Sequence, residues 1–285
     1  MHSSDFCTAG MHGMSADRRA GKALRIEGLT KSYRSRSGRE SVALRPITAE
    51  IAAGEFLAVV GPTGCGKTTL LKILAGVITP SAGRALVDGV PVLGPSIDRS
   101  VVFQNFALFP WLSVLGNVEF GLRSQGLSTD RRRAVALDFL RAVGLTDAVD
   151  KRPSELSGGM KQRCAIARAF AVHPSILLMD EPFGALDALT RRVMQRELVR
   201  IWREHTTTVV FVTHSVEEAI YLADRILVMT AHPGSIKAEL TVDAARPRDE
   251  TSAAFTQLEQ KIYALLDEEL ATTFDLERER VAEVT

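Results

Sequence analysis

Several things are scarce in this chain, and each scarcity excludes something. Of 285 residues only three are cysteine, Cys7, Cys65 and Cys164, scattered and without metal-ligand spacing. That argues against a disulfide framework and fits a reducing compartment. Net charge is almost absent, formally +1, so no global basic field points to nucleic acid or to an anionic membrane surface. No apolar run approaches the ~18 residues that cross a bilayer. The polar stretch from Met1 to about Ala20 lacks the apolar segment of a secretory signal. It reads as a disordered leader over residues 1–22, with Met11 and Met14 as alternative starts. The expected location is therefore the cytosol, and work at a membrane would go through a partner. What remains is a composition of 46% hydrophobic and 24% charged residues, long enough for one large α/β domain or a core with a smaller lobe.

Along the chain, Leu24 to Tyr33 and Ile47 to Ile51 alternate like antiparallel strands joined by a polar turn. Glu55 to Val60 is a short apolar run ending at Gly61, the pattern of a buried strand. A helix is predicted over Lys67–Leu74, with Leu70, Leu71 and Leu74 on one face. From about Phe106 to Ser157 strand signals vanish and helical ones take over, Leu137, Leu140 and Gly144 marking one helix. Strands resume at Ser175–Met179, Thr208–Val212 and Arg225–Met229. A helix between the first two carries Leu189, Val193, Leu198 and Trp202 as its predicted apolar stripe. Strands alternating with helices imply a mainly parallel sheet, here interrupted by a helical lobe. There is no internal repeat.

Gly61-Pro62-Thr63-Gly64-Cys65-Gly66-Lys67-Thr68 follows the buried strand and opens a helix, which is the context a phosphate-binding P-loop needs. Glycines let successive backbone N–H groups converge on phosphate oxygens, and the helix N-terminus adds partial positive charge. Lys67 reaches β- and γ-phosphates, and the Thr68 hydroxyl can ligate Mg²⁺. Thr69 continues the same turn. A second carboxylate belongs with such a loop. Asp180 stands at the end of the Ser175–Met179 strand, on the sheet edge where ligands bind. Asp180 suits the metal, and the adjacent Glu181 can polarise an attacking water as general base. Adjacent acids after a strand also serve as helix caps.

Leu156-Ser157-Gly158-Gly159-Met160 precedes a basic helix for which Ser157 is a good N-cap. Here the chain resembles the ABC ATPases, whose signature is Leu-Ser-Gly-Gly-Gln; Met160 stands in place of the usual Gln. The resemblance implies a P-loop NTPase cassette with a mainly parallel core sheet, an N-terminal antiparallel β subdomain and an inserted helical subdomain over about 106–157. It covers about residues 23–240, leaving 241–285 as a C-terminal amphipathic helical extension. It further implies that Ser157, Gly158 and Gly159 contact nucleotide bound on a second copy, so that two cassettes sandwich two ATP molecules with Mg²⁺. By the same resemblance Gln104 is the Q-loop glutamine, sensing metal and γ-phosphate, and Gly184-Ala185-Leu186-Asp187 is the D-loop at the dimer interface. His214 is then the switch histidine on the γ-phosphate, and Tyr33 the aromatic that stacks on adenine, a contact worth ~1–3 kcal/mol.

Within that family, Phe103 to Trp111 resembles the nitrate/sulfonate/taurine-type importer ATPases, as do His232-Pro233-Gly234 and Arg246-Pro247-Arg248-Asp249. The resemblance implies an importer subunit pairing with itself, with two permease subunits and, indirectly, a substrate-binding protein, on the inner face of a membrane and without nucleic acid. An exporter ATPase and a soluble non-transport ABC ATPase are the alternatives. Phe109, Pro110 and Trp111 form an apolar knob that either receives a membrane subunit or packs on its own lobe. Beyond Asp249, Phe255, Leu258, Ile262, Leu265 and Leu266 give one amphipathic helix that packs back on the core. Arg131-Arg132-Arg133 reads as a solvated helix face. Cys65 is expected to point into the P-loop, so that a bulky thiol reagent would inhibit.

Overall fold

The computed structural model describes residues 20–34, 38 and 40–282, with side chains described as far as Glu269. The expected leader lies outside the described residues except at its end. There the packed chain begins earlier than the boundary at 22. Thr208 Oγ1 donates to the Lys22 carbonyl at 2.7 Å, and a Cβ on Gly21 would stand 2.4 Å from the Thr206 carbonyl oxygen.

Strands β1 (Leu24–Arg34) and β2 (Glu40–Ile51) form an antiparallel pair before β3 (Phe56–Val60) enters a second sheet and α1 (Lys67–Leu74) leaves it. Next, β4 (Ala82–Val87) and β5 (Val90–Pro91) complete the antiparallel sheet in the order β2-β1-β4-β5. After β6 (Arg99–Val102) come the helices α2 (Val114–Leu122), α3 (Thr129–Ala142) and α4 (Gly158–Ala171). The alternation predicted for the second half follows as β7 (Ile176–Asp180), α5 (Ala188–His205), β8 (Thr208–Thr213), α6 (Val216–Leu222) and β9 (Arg225–Met229). Finally β10 (Ile236–Thr241) and α7 (Ala253–Ala282) close the chain. The second sheet runs β10-β9-β3-β8-β7-β6, parallel throughout except for β10.

Strands buried on both faces read as near-continuous apolar runs: β3 throughout, β7 up to Asp180 at its end, and β8 between Thr208 and Thr213. The period of two then divides them. Phe56, Ala58 and Val60 join the core under the helices, whereas Leu57 and Val59 join the core shared with α1 and the antiparallel sheet. Register sets the site: Val60 is level with Thr213, and Asp180 with Val212. The loops leaving β3, β7 and β8 therefore open side by side at one sheet edge.

One helix departs from expectation. On α5, Met194, Leu198 and Ile201 are buried and Trp202 half-buried, whereas Leu189 and Val193 are exposed. The first turns of α5 overhang the core, so the apolar stripe starts at Met194 and not at Leu189. Helix α7 packs as expected, burying Phe255 and Ile262 with Leu258, Leu265 and Leu266 half-buried on the same core.

Candidate active site

The turn from β3 into α1 is built on Gly66, whose φ of 99° is a left-handed conformation that favours glycine. There is no room for a side chain either, since a Cβ would stand 2.5 Å from Leu44 Cδ2 and 3.0 Å from the Ala43 carbonyl oxygen. Strand β2 thus presses directly against the loop. Behind it lies a second brace: a Cβ on Gly234 would fall 1.8 Å from the Cys65 carbonyl oxygen. The His232-Pro233-Gly234 turn is tied in place by Gly234 N–H on the Ala43 carbonyl at 3.0 Å and by Arg45 N–H on the Gly234 carbonyl at 2.9 Å.

Within this frame Gly61, Cys65 and Lys67 are buried, Pro62, Gly66, Thr68 and Thr69 half-buried, and Thr63 and Gly64 exposed. Lys67 Nζ donates to the carbonyls of Gly61 at 2.7 Å and Pro62 at 2.9 Å. The expectation for Cys65 needs correction. Its thiol is fully buried in the core shared with Val59 and Met229, and burial pushes its pKa up. A thiol reagent requires the accessible thiolate, so Cys65 should resist alkylation in the folded chain.

Thr68 Oγ1 donates to Asp180 Oδ1 at 3.1 Å. Burial pushes the Asp180 carboxyl up, the Thr68 hydrogen bond draws it back, and neighbouring Glu181 pushes it further up. Glu181 itself holds a left-handed φ of 46°, costly for a residue with a Cβ. Its N–H donates to the Val212 carbonyl at 2.9 Å, pinning it to β8. Held so, Glu181 Oε2 accepts from Gln104 Nε2 at 3.1 Å and lies 3.2 Å from His214 Nδ1. Two residues from separate stretches of chain thus meet on the carboxylate of a third.

Ser157 caps α4, accepting from the Met160 N–H at 3.3 Å. Gly159 packs against the loop before α5, where a Cβ would meet Leu186 Cδ2 at 3.2 Å. Asp187 caps α5, and the Thr190 backbone N–H, 3.0 Å from Oδ1, holds its carboxyl below the usual range. Among the described residues no hydrogen bond joins Ser157, Gly158, Gly159 or Asp187 to the loop at 61–68. Tyr33 is 45% exposed near the end of β1, with Lys31 Nζ 5.2 Å from its ring centroid.

Sequence reasoning missed two features. Glu218 is buried on α6 beside the loop that carries His214, and burial pushes its carboxyl up while Thr213 and Arg191 draw it back. In sequence it is only one of two acids in a helix's first turn. The other feature is Arg168 on α4, which donates to the carbonyls of Ala107 at 2.6 Å and Phe106 at 3.1 Å. Both those residues have left-handed φ, at 45° and 63°. The signature helix thereby grips the loop that follows Gln104. Beyond that loop Phe109 packs at a 43° tilt against Phe120, with centroids 4.3 Å apart, and against Trp111 at 5.6 Å. Trp111 is 68% exposed and Phe120 45%.

Comparison with known proteins agrees with this geometry. The family described as ABC transporter matches residues 44–184. An uncharacterized ABC transporter ATP-binding protein of Methanocaldococcus jannaschii is 50% identical over 87% of this chain and 92% of its own length. The taurine import ATP-binding protein TauB of Yersinia pestis is 47% identical, over 77% and 84%. The bicarbonate transport ATP-binding protein CmpD of Synechocystis is 44% identical, over 82% and 84%. Among solved structures, the dimeric ATP-binding cassette MJ0796 in a post-hydrolysis state bound to ADP and Pi superimposes with a TM-score of 0.71, at 32% identity, over 78% of this chain and all of that one. No helix among the described residues is long and apolar enough to cross a membrane. The chain belongs to the ABC transporter family, as an ATP-binding subunit that hydrolyses ATP.

Proposed function

We propose that this chain is the energy-coupling subunit of an importer for small organic or inorganic anions of the nitrate, sulfonate and taurine kind. It works as a homodimer on the cytoplasmic face of the membrane, beneath two permease subunits that receive cargo from a substrate-binding protein. The observation that carries the catalytic reading is the meeting of Gln104 and His214 on Glu181 Oε2. Glu181 accepts the proton of the water that attacks the γ-phosphoryl group, and Gln104 and His214 orient that carboxylate and bind the γ-phosphate. Lys67 and the backbone N–H groups of Gly64 to Thr69 hold the β- and γ-phosphates. Tyr33 offers an exposed ring to adenine.

Thr68, Asp180 and Gln104 present hydroxyl, carboxylate and amide oxygens, the hard donors that suit Mg²⁺. When bound there, the ion neutralises charge on the phosphates. Ser157, Gly158, Gly159 and Asp187 complete the site of a second copy. Their lack of hydrogen bonds to their own phosphate loop supports that reading, as does the dimeric form of the MJ0796 cassette. The import reading is supported by the exposed aromatic cluster just beyond Gln104 and by the likeness to the taurine and bicarbonate subunits.

Glu181→Gln tests the catalytic core of this proposal. The variant should bind ATP with near wild-type affinity and sediment as a dimer with it, while turnover falls ~10²–10⁴-fold. Turnover at the wild-type rate would remove Glu181 from the role of base.

A further inference from the structure

The motif Arg246-Pro247-Arg248 has no part in the ATP chemistry above, yet it walls a cavity of about 340 Å³. Opposite it stand Arg196, Arg200 and Arg203, which share one face of α5 at helical spacing. Five arginines thus line a space to which, among the described residues, Glu204 alone contributes a carboxylate.

Local pairing leaves that charge unbalanced. Arg200 is satisfied by Glu197 at 3.0 Å and Glu204 at 2.9 Å, and Arg246 by Asp224. Arg248 donates instead to neutral groups, the carbonyls of Ile220, Tyr221, Val242 and Ala244. Among the described residues no carboxylate lies within ion-pair distance of Arg196, Arg203 or Arg248. Burial, and then the neighbouring charge of Arg246, push the Arg248 pKa down to about 10, as expected for a cation short of counter-charge. Arg246 is likewise engaged within the fold: its guanidinium lies 4.7 Å from the Trp202 ring centroid and donates to Asp224 and to the Leu222 carbonyl, which leaves Arg196 and Arg203 as the exposed arginines of the wall that lack a carboxylate partner among the described residues. The remaining lining is apolar or aromatic, Val199, Tyr221 and Pro247. The volume lies at the small end of the range for ligand pockets.

We propose that this cavity binds a small organic anion, its oxyanion head held by Arg196 and Arg203 and a compact apolar body laid against Val199, Tyr221 and Pro247. Guanidinium forks match the oxygens of a carboxylate, sulfonate or phosphate ester in pairs, and a head of that kind supplies the missing counter-charge. The cavity shares no residue with Gly61–Thr68, Asp180, Glu181 or His214, so this site stands apart from the nucleotide. It spans α5 and α6, which follow Asp187 and His214 respectively.

Benzenesulfonate, with its uncharged analogue benzenesulfonamide, tests the claim. Each is titrated calorimetrically at constant ionic strength into the full chain with excess ADP and magnesium, so that the phosphate loop is already filled. The sulfonate should bind saturably with a dissociation constant of ~1 mM or below, and the sulfonamide at least about tenfold more weakly. The double variant Arg196→Gln/Arg203→Gln, changed only at exposed positions, should keep its basal ATP turnover and weaken sulfonate binding about tenfold or more. The control pair Arg131→Gln/Arg133→Gln should leave binding unchanged. No saturable binding below ~10 mM, equal binding of the sulfonamide, or equal affinity in the Arg196/Arg203 variant would each overturn the proposal.

Discussion

Glu218 accepts a 2.7 Å hydrogen bond from the hydroxyl of Thr213, the residue immediately before His214. Its other carboxylate oxygen lies 3.6 Å from Arg191 Nε, and Arg191 Nη2 donates to the Leu186 carbonyl at 3.1 Å. Thr213 Oγ1 also accepts from the Ser215 N–H at 3.0 Å, so both sides of His214 are held. A polar chain therefore runs from the Gly184–Asp187 loop to His214 through the buried side chain of Glu218.

Cutting that chain should cost turnover more than nucleotide affinity, because it misplaces His214 without touching the phosphate loop. In Glu218→Ala, kcat is expected to fall ~10–100-fold, the scale of an ångström-sized misplacement. Nucleotide affinity should change by less than about threefold, well under 1 kcal/mol. Glu218→Gln keeps an acceptor for Thr213 and should retain most of the activity. Steady-state ATPase assays with fluorescent-nucleotide titrations separate the two effects.

Gly234→Ala is the corresponding test of the loop's rear brace. With the Cys65 carbonyl oxygen 1.8 Å from where the new methyl must go, either the turn or the phosphate loop has to move. Overpacking of this kind costs ~1–3 kcal/mol, to be read in urea melts, and ATP affinity should drop about tenfold. Gly94→Ala is the control, since a Cβ at Gly94 meets nothing within 4 Å, and it should change neither.

These two positions show where the sequence stopped being readable. The P-loop, Asp180–Glu181 and the Ser157 cap are legible because each is a local pattern whose neighbours in sequence are its neighbours in space. Helix α1 falls on Lys67–Leu74 as expected for the same reason. Gly234 looked like no more than a mark of resemblance, because its constraint comes from Cys65 and Ala43, both far away in the chain. Glu218 sits beside Glu217 in a first turn where acids favour the helix dipole anyway. Its partners come from other elements, Thr213 from the end of β8 and Arg191 from α5. The offset stripe of α5 has the same origin, because periodicity gives a face without saying where along the helix the core begins.

Asp180 carries a pH-dependent prediction. Burial raises its folded pKa above the ordinary carboxylate value of 3.8. Between those two values the folded state binds more protons than the unfolded one, so stability falls as pH rises through the window and is lowest above it. At pH 7 the ionised carboxylate therefore destabilises the nucleotide-free chain. Asp180→Asn removes that charge and keeps an oxygen for Thr68. It should raise stability at pH 7, read as a higher Tm. The gain should shrink as pH approaches 4, and ATP turnover should be lost at every pH. Thermal melts of both proteins from pH 4 to 8 check the sign.

The last prediction concerns the aromatic cluster beyond Gln104. Trp111 and Phe120 are exposed at 68% and 45% and meet on Phe109, over which Arg168 of the signature helix lies 5.5 Å from the ring centroid. Arg168 also holds the backbone of Phe106 and Ala107, so a load on the aromatic surface is tied to α4 and to the loop carrying Gln104. If this surface receives the permease, Trp111→Ser/Phe120→Ser should leave ATPase of the isolated chain within about twofold of wild type. Buried aromatics at interface centres are worth ~2 kcal/mol or more each, so assembly with the permease should weaken at least ~30-fold. In reconstituted vesicles, cargo-stimulated ATPase and uptake should be lost together. Uptake at the wild-type level in that variant would place the permease contact elsewhere on the chain.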